Sequence, residues 1–371
     1  MLRVISRENV IVAQFDLFED CRDFFINSTE KSLDDFFSIF DKKFCLIPTR
    51  YAKVCDVVGI KGQDRLNTVP PAVIRQAAQD IKLDIEAIFE NSNNLEYLKN
   101  YLRMRVFLDS MLAADVDSTK LISMIESQEH EGVKSNLQTF VDPVPTRYSM
   151  CNSVTGRLSV KQGPKILTSP QEVKSVLRSR HENGSILQLD LSCAEPNFAM
   201  FCNGESPMND LYEFCASEVL EGKVERSTAK LILLSAIYGQ STKNLSSALP
   251  AGIIASAVIK KVKSFLAIDS LNDRLKDAWR ADNFRNYFGR PLKTDQPRLL
   301  ISHYLQSSVA EMSVLLFEEF CKEYRADPLF VIHDALVIDA SPELAKELLG
   351  RKKFRFKFKD QGFPAAITKI S

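Results

Sequence analysis

Two aspartates are set among apolar, strand-like runs. Asp190 lies near the end of the run Ile186 to Leu191, and Asp334 follows His333 between Leu329–Ile332 and Ala335–Ile338. Carboxylates held by rigid strands can bridge two Mg²⁺ ions, roughly 3.5–4 Å apart, around an attacking and a leaving oxygen. The pair therefore points to metal-dependent phosphoryl transfer. A third segment, Arg226-Ser-Thr-Ala-Lys230-Leu-Ile-Leu-Leu234-Ser-Ala-Ile-Tyr238-Gly239, repeats Arg, Lys, Leu and Tyr every fourth residue. On a helix that spacing forms one stripe. Two cations, an apolar residue and a ring along it suit the triphosphate, sugar and base of a nucleotide.

Together these segments resemble the motifs of family A DNA polymerases, the class of bacterial DNA polymerase I and many phage replicases. Asp190-Leu-Ser-Cys-Ala-Glu195 resembles motif A, usually Asp-Tyr-Ser-Gln-Ile-Glu. The run from Arg226 resembles motif B, Arg-x-x-x-Lys-x-x-x-Phe/Tyr-x-x-x-Tyr-Gly, and Val331-Ile-His-Asp-Ala335 resembles motif C, normally His-Asp-Glu at its end. Thr155-Gly-Arg157-Leu-Ser159 matches the family's Thr-Gly-Arg-Leu-Ser. Gly289-Arg290, Arg298 and Gln306 echo the stretch before motif C. The elements occur in family order from about Arg147 to the C-terminus.

The resemblance implies an α+β right hand: an antiparallel palm sheet, helical fingers and a reduced helical thumb. It implies template-directed addition of dNTPs to a primer 3′-hydroxyl on primer-template DNA, with two Mg²⁺ ions that Mn²⁺ can replace. Asp190 and Asp334 would hold the ions, with the backbone carbonyl of Leu191. Arg226 and Lys230 would contact the triphosphate, and Lys230 would assist the departing pyrophosphate. Leu234, Tyr238, Gly239 and Glu195 would complete the nucleotide site, Glu195 narrowing the space at the sugar. Arg157, Arg290, Arg298, Gln306 and His333 would meet the DNA, donors reading minor-groove acceptors common to correct pairs. Taken singly, each has a plainer reading: a core ring for Tyr238, a buried histidine for His333, an exposed basic face for Arg226 and Lys230, a helix-start acid for Glu195 beside Pro196.

The chain departs from the family at several points. Ala335 replaces the usual acid of motif C, Ser302 stands where Asn is typical, Leu234 replaces the motif B aromatic, and Cys193-Ala194 replace Gln-Ile. These departures place it among divergent phage or mobile-element members. Two other readings stand beside the polymerase: a single-subunit RNA polymerase or primase, and an inactive polymerase-like accessory subunit that binds DNA. Glu195 and the Thr-Gly-Arg-Leu-Ser segment argue against the first. Retention of Asp190, Asp334, Arg226 and Lys230 argues against the second.

Length and composition bound the rest. At 371 residues the chain can build two or three subdomains. Charged residues make up 26% and net charge is +0, yet Lys223 to Arg298 holds 14 Lys plus Arg against 6 Asp plus Glu. A local basic surface can bind phosphates on a neutral chain. No apolar run approaches the roughly 20 residues of a membrane span, and the first residues lack a secretory signal, so a cytoplasmic protein is expected, in the host cytoplasm if viral. The eight cysteines show no zinc spacing and read as reduced thiols.

The organisation expected is an accessory region at 1–85, thumb-like helices at 86–140, palm at 141–220, fingers at 221–295 and palm again at 296–371. Within 1–85, Val10 to Phe15 reads as a strand, Leu33 to Phe40 as a short helix and Phe44 to Val58 as strand. The region is too short for the proofreading exonuclease module of larger relatives, so no intrinsic proofreading is expected; the acidic group Asp16, Glu19 and Asp20 reads as surface rather than nuclease remnant, and the region suits a processivity or replisome partner. Ala87 to Ala114 reads as helix with Leu95, Leu98, Leu102, Val106 and Leu108 as its apolar stripe. Lys353-Phe-Arg-Phe-Lys-Phe-Lys359 alternates strictly, predicting a strand with an aromatic buried face and a basic exposed one.

Overall fold

The computed structural model describes residues 2–5, 11–15, 37–40, 42, 47–60, 65, 68–90, 92–239, 245–351 and 353–371. The chain forms two compact units, one of Met1–Leu102 with Phe288–Pro291, the other of Arg103–Tyr287 with Leu292–Ser371. The acidic group at Asp16, Glu19 and Asp20, and Leu33 to Phe36, lie outside the described residues.

In the first unit β1 (Leu2–Ile5) pairs antiparallel with β2 (Ile11–Phe15). The segment read as strand between Phe44 and Val58 contains a helix instead, α1 (Thr49–Val57). Its Tyr51, Val54 and Val57 suit a strand by type, but Pro48 fixes an extended residue at the N-cap and the following turn closes on it: Tyr51 and Ala52 both donate to the Pro48 carbonyl. Helix α2 (Pro71–Glu90) crosses the expected boundary at residue 85 unbroken, and α3 (Ser92–Asp109) follows, its residues from Arg103 onward counted with the second unit. The single helix expected from Ala87 to Ala114 is thus divided, and it stops at Asp109. Asn94 helps divide it: its Nδ2 donates to the Ile88 carbonyl at 2.9 Å, giving an α2 terminal carbonyl a side-chain partner. The buried stripe of α3 is Tyr97, Leu98, Tyr101, Met104, Phe107 and Leu108, while Val106 is 70% exposed. The helix turns its aromatic residues inward because they bury the most area.

The second unit is built on a five-stranded antiparallel sheet. After β3 (Asp115–Val116), α4 (Ser118–Glu126) and α5 (Glu131–Gln138) come β4 (Arg147–Ser149), β5 (Ser159–Gln162), β6 (Leu177–Arg178) and the central strand β7 (Ser185–Leu191). Helices α6 (Ala194–Cys202), α7 (Leu211–Phe214), α8 (Arg226–Tyr238), α9 (Ala255–Phe265), α10 (Ile268–Arg280) and the long α11 (Leu300–Tyr324) precede the hairpin of β8 (Asp327–Ile332) and β9 (Ala335–Ala340). Helix α12 (Pro342–Gly350) leads to a second hairpin, β10 (Phe354–Phe358) and β11 (Gln361–Lys369). Strand order is β10-β11-β7-β9-β8.

Both faces of β7 are covered. Ile186 packs on one side with Val337, Phe330, Phe140 and Val176. On the other, rings from several elements interlock: Phe198 and Phe201 of α6 with Tyr287, Phe358 and Phe363, and Phe317 and Phe320 of α11 with Phe354 and Phe356. In β10 the alternation resolves as expected, Phe354 and Phe356 buried and Arg355 and Lys357 exposed. Among the described residues no disulfide forms, and no helix is long and apolar enough to cross a membrane.

Candidate active site

The sheet register brings the two aspartates together. Asp190 pairs with Ala335 across β7 and β9, and the next backbone amide, Leu191 N–H, donates to the Asp334 carbonyl at 3.0 Å. Asp334 is not in a strand. It occupies the two-residue connection between β8 and β9, after His333 with φ 56°. A non-glycine residue in that left-handed region stores local strain, which the paired strands on either side hold in place. Leu191 is buried in the strand beside them.

The carboxyl of Asp334 is pushed up to about 7, by burial first and then by the charges of Asp190 and Glu195. Asp190 is also raised, again by burial, opposed by the Gln188 amide and the charges of Lys174 and Lys230. Two neighbouring buried acids disfavour double ionisation unless a cation sits between them. Hard oxygen donors of this kind suit Mg²⁺. Among the described residues no group of three or more His, Cys, Asp or Glu is arranged to hold a metal.

A cleft of about 260 Å³ opens over this end of the sheet, lined by Arg157, Glu195, Gln306, His333 and Asp334 among others. Glu195 organises it. Its Oε1 accepts from the Tyr238 hydroxyl at 2.9 Å and from Arg157 Nη2 at 3.1 Å. Burial and the Glu195 charge hold the Tyr238 hydroxyl protonated. His333 is pushed below its ordinary value, by burial first and then by the Arg157 guanidinium, so its ring is neutral at pH 7. Glu195 sits in the first turn of α6, where an acid also suits the helix dipole. Pro196 is the third helical residue, since the left-handed Cys193 is the N-cap.

Helix α8 begins at Arg226 and ends at the left-handed Gly239, φ 65°. Ala229, Ile232, Leu233, Ala236 and Ile237 are buried, leaving Arg226 and Lys230 exposed and Leu234 and Tyr238 half-buried along the other side. Both cations have a partner that sequence reasoning missed. Arg226 Nε donates to Asp210 Oδ2 at 2.8 Å, and the Tyr212 ring lies 5.5 Å from the Arg226 guanidinium and 5.7 Å from Lys230 Nζ. Asp210 is the N-cap of α7, a role its type hinted at; nothing local marked Tyr212.

The remaining residues are not in this cleft. Arg298 is exposed, its Nε and Nη2 donating to Gln296 Oε1 at 3.0 and 2.9 Å. Arg290, expected at the DNA, is instead 2% exposed and donates to the Tyr97 hydroxyl at 2.8 Å inside the first unit. Ser302 is buried and donates to the Leu299 carbonyl at 3.0 Å.

No family model and no curated protein matches the chain. Among solved structures it is similar to the polymerase domain of Pol1 from M. smegmatis in complex with DNA primer-template and dNTP. The TM-score is 0.53 at 14% identity, over 88% of this chain and 78% of that one. The mixed helix-and-sheet fold is therefore polymerase-like. At that identity the likeness concerns the fold.

Proposed function

We propose that this protein is a template-directed DNA polymerase of family A type, adding dNTPs to a primer 3′-hydroxyl without proofreading by this chain. The observation that carries the reading is convergence: segments far apart in sequence meet at one end of the sheet, Asp190 beside Asp334, Glu195 tied to Arg157 and Tyr238, and Lys230 near enough for its charge to act on Asp190. The likeness to a polymerase domain solved with primer-template and dNTP supports it. In this reading the β7–β11 sheet is the palm and the helices around α8 the fingers.

Asp190 and Asp334, with the Leu191 carbonyl, would hold the divalent ions. Bound Mg²⁺ would favour the ionised primer hydroxyl and neutralise charge on the transferred phosphoryl. Arg226 and Lys230 would bind the triphosphate, Arg226 exchanging Asp210 for phosphate oxygens, a stronger bidentate partner. Lys230 would supply the proton that the leaving pyrophosphate takes up. Glu195, fixed by Tyr238 and Arg157, would close the space at C2′. Arg157, Gln306 and the neutral His333 line the cleft as donors for the primer-terminal pair.

The test is single-turnover primer extension with Asp190→Ala and Asp334→Ala, beside duplex affinity. Extension should fall by at least a thousandfold or so, the order expected when charge stabilisation of a transferring phosphoryl is lost, with DNA binding little changed, since the phosphate backbone is gripped elsewhere. Near wild-type extension by either variant would overturn the assignment.

A further inference from the structure

Gln188 lies two residues before Asp190 on β7, and the period of a strand puts both side chains on the same face. Its Nε2 donates to Asp190 Oδ2 at 3.2 Å, and its Oε1 accepts from Lys174 Nζ at 2.9 Å. We propose that Lys174 and Gln188 are positioning residues, a two-member relay that fixes the Asp190 carboxylate for metal binding. The inference rests on Asp190 being a metal ligand, as argued above.

A glutamine amide has two ends of opposite polarity and two nearly equal orientations. One presents N–H to Asp190; the other presents a carbonyl oxygen and repels it. The ammonium of Lys174 can only donate, so it selects the first. The cross-strand neighbours of Gln188 are Val337 of β9, fully buried and unable to bond the amide, and Thr368 of β11; the group that meets its Oε1 is Lys174. Lys174 is itself anchored: it belongs to the 3-10 helix Gln171–Val176, whose Val173 and Val176 are buried in the core beneath the sheet. The amide then holds Oδ2, and Oδ1 is left without this donor.

Such an arrangement compensates for the chemistry at Ala335. With a further acid missing, each remaining ligand has to be well oriented, and a fixed carboxylate loses less freedom when a cation binds. Lys174 has a competing effect, because a positive charge near the site repels the ion. The two effects have opposite signs in one variant. If orientation dominates, Lys174→Met weakens metal binding; if charge dominates, it tightens it.

The experiment is Mn²⁺ binding to the full-length protein, followed by electron paramagnetic resonance, for wild type, Lys174→Met, Lys174→Arg, Gln188→Met and Asp190→Asn. Extension rates against Mg²⁺ concentration are measured in parallel. Lys174→Met and Gln188→Met should each weaken Mn²⁺ by about tenfold to a hundredfold, the range for lost supporting contacts to a metal ligand. They should raise the Mg²⁺ concentration for half-maximal rate while leaving the dNTP KM close to wild type. Lys174→Arg, still a donor, should recover most of the loss. Wild-type or tighter Mn²⁺ binding in Lys174→Met, with Asp190→Asn defective, would overturn the relay alone. Undiminished binding in Asp190→Asn would overturn the ligand assignment beneath it. Should Gln188→Met fail to fold, the comparison of Lys174→Met with Lys174→Arg still decides.

Discussion

Glu195 is the side chain on which most of the cleft depends, since one of its oxygens accepts from both Tyr238 and Arg157. Its truncation removes the support of a half-buried ring and opens space beside the sugar. Glu195→Ala should therefore incorporate ribonucleotides more readily and deoxynucleotides less well. Discrimination by excluded volume and an unpaired buried polar group reaches on the order of a thousandfold in relative kcat/KM. The ratio of kcat/KM for dNTP and rNTP, before and after substitution, checks it. An unchanged ratio would make Glu195 a helix-start acid only, and a wild type that prefers ribonucleotides would favour an RNA polymerase.

Asp334 carries a pH signature. Its carboxyl titrates near pH 4 in an unfolded chain and at about 7 in the fold. Across that window the folded state binds more protons than the unfolded one, so the contribution of Asp334 is fully present below pH 4 and is lost as pH rises through 7. Cation-free protein should melt at lower temperature at pH 8 than at pH 5. Thermal scans with and without Mg²⁺ check this: the decline should shrink in Asp334→Asn and when Mg²⁺ is added, since a cation between the acids stabilises their ionised forms.

At the scale of elements, two glycines separate strain from crowding. Gly239 ends α8 at φ 65°, with nothing within 4 Å of the position a Cβ would take. Gly239→Ala should cost only the left-handed strain, about 1–2 kcal/mol. At Gly184, just before β7, a Cβ would lie 2.7 Å from the Ala340 carbonyl oxygen and 2.3 Å from Ser179 Oγ. Backbone there must move, so Gly184→Ala should destabilise more than Gly239→Ala. Equilibrium urea unfolding ranks the two, and the reverse order would contradict this account of the β7–β9 edge.

For the whole molecule, the described elements of the first unit are one two-stranded sheet and helices, and the acids and cleft residues gathered above all belong to the second. On the proposed reading, the chain is expected to show no 3′→5′ nuclease activity. Incubating an end-labelled, mismatched primer with Mg²⁺ and no nucleotides should leave it full length; metal-dependent shortening that persists in a highly purified preparation would contradict this.

Features with a short-range period were legible in the amino-acid order. The α8 stripe with its terminal Gly239, the apolar run around Asp190 and the alternation of β10 are each set by a repeat of 3.6 or 2 residues acting within one element. Long-range pairing decided the rest. Only the β7–β9 register puts Asp190 beside Asp334, only the packing of α6 against α8 ties Glu195 to Tyr238, and only the docking of a 3-10 helix brings Lys174 to Gln188. Arg290 and Thr49–Val57 show the converse. A charged residue and a β-branched segment read one way locally, and tertiary burial in the first case and a proline-started turn in the second gave them another role. Local preference amounts to a few tenths of a kcal/mol per residue, whereas a buried contact or an unmet polar group is worth about one to three, so the tertiary structure prevails where they conflict.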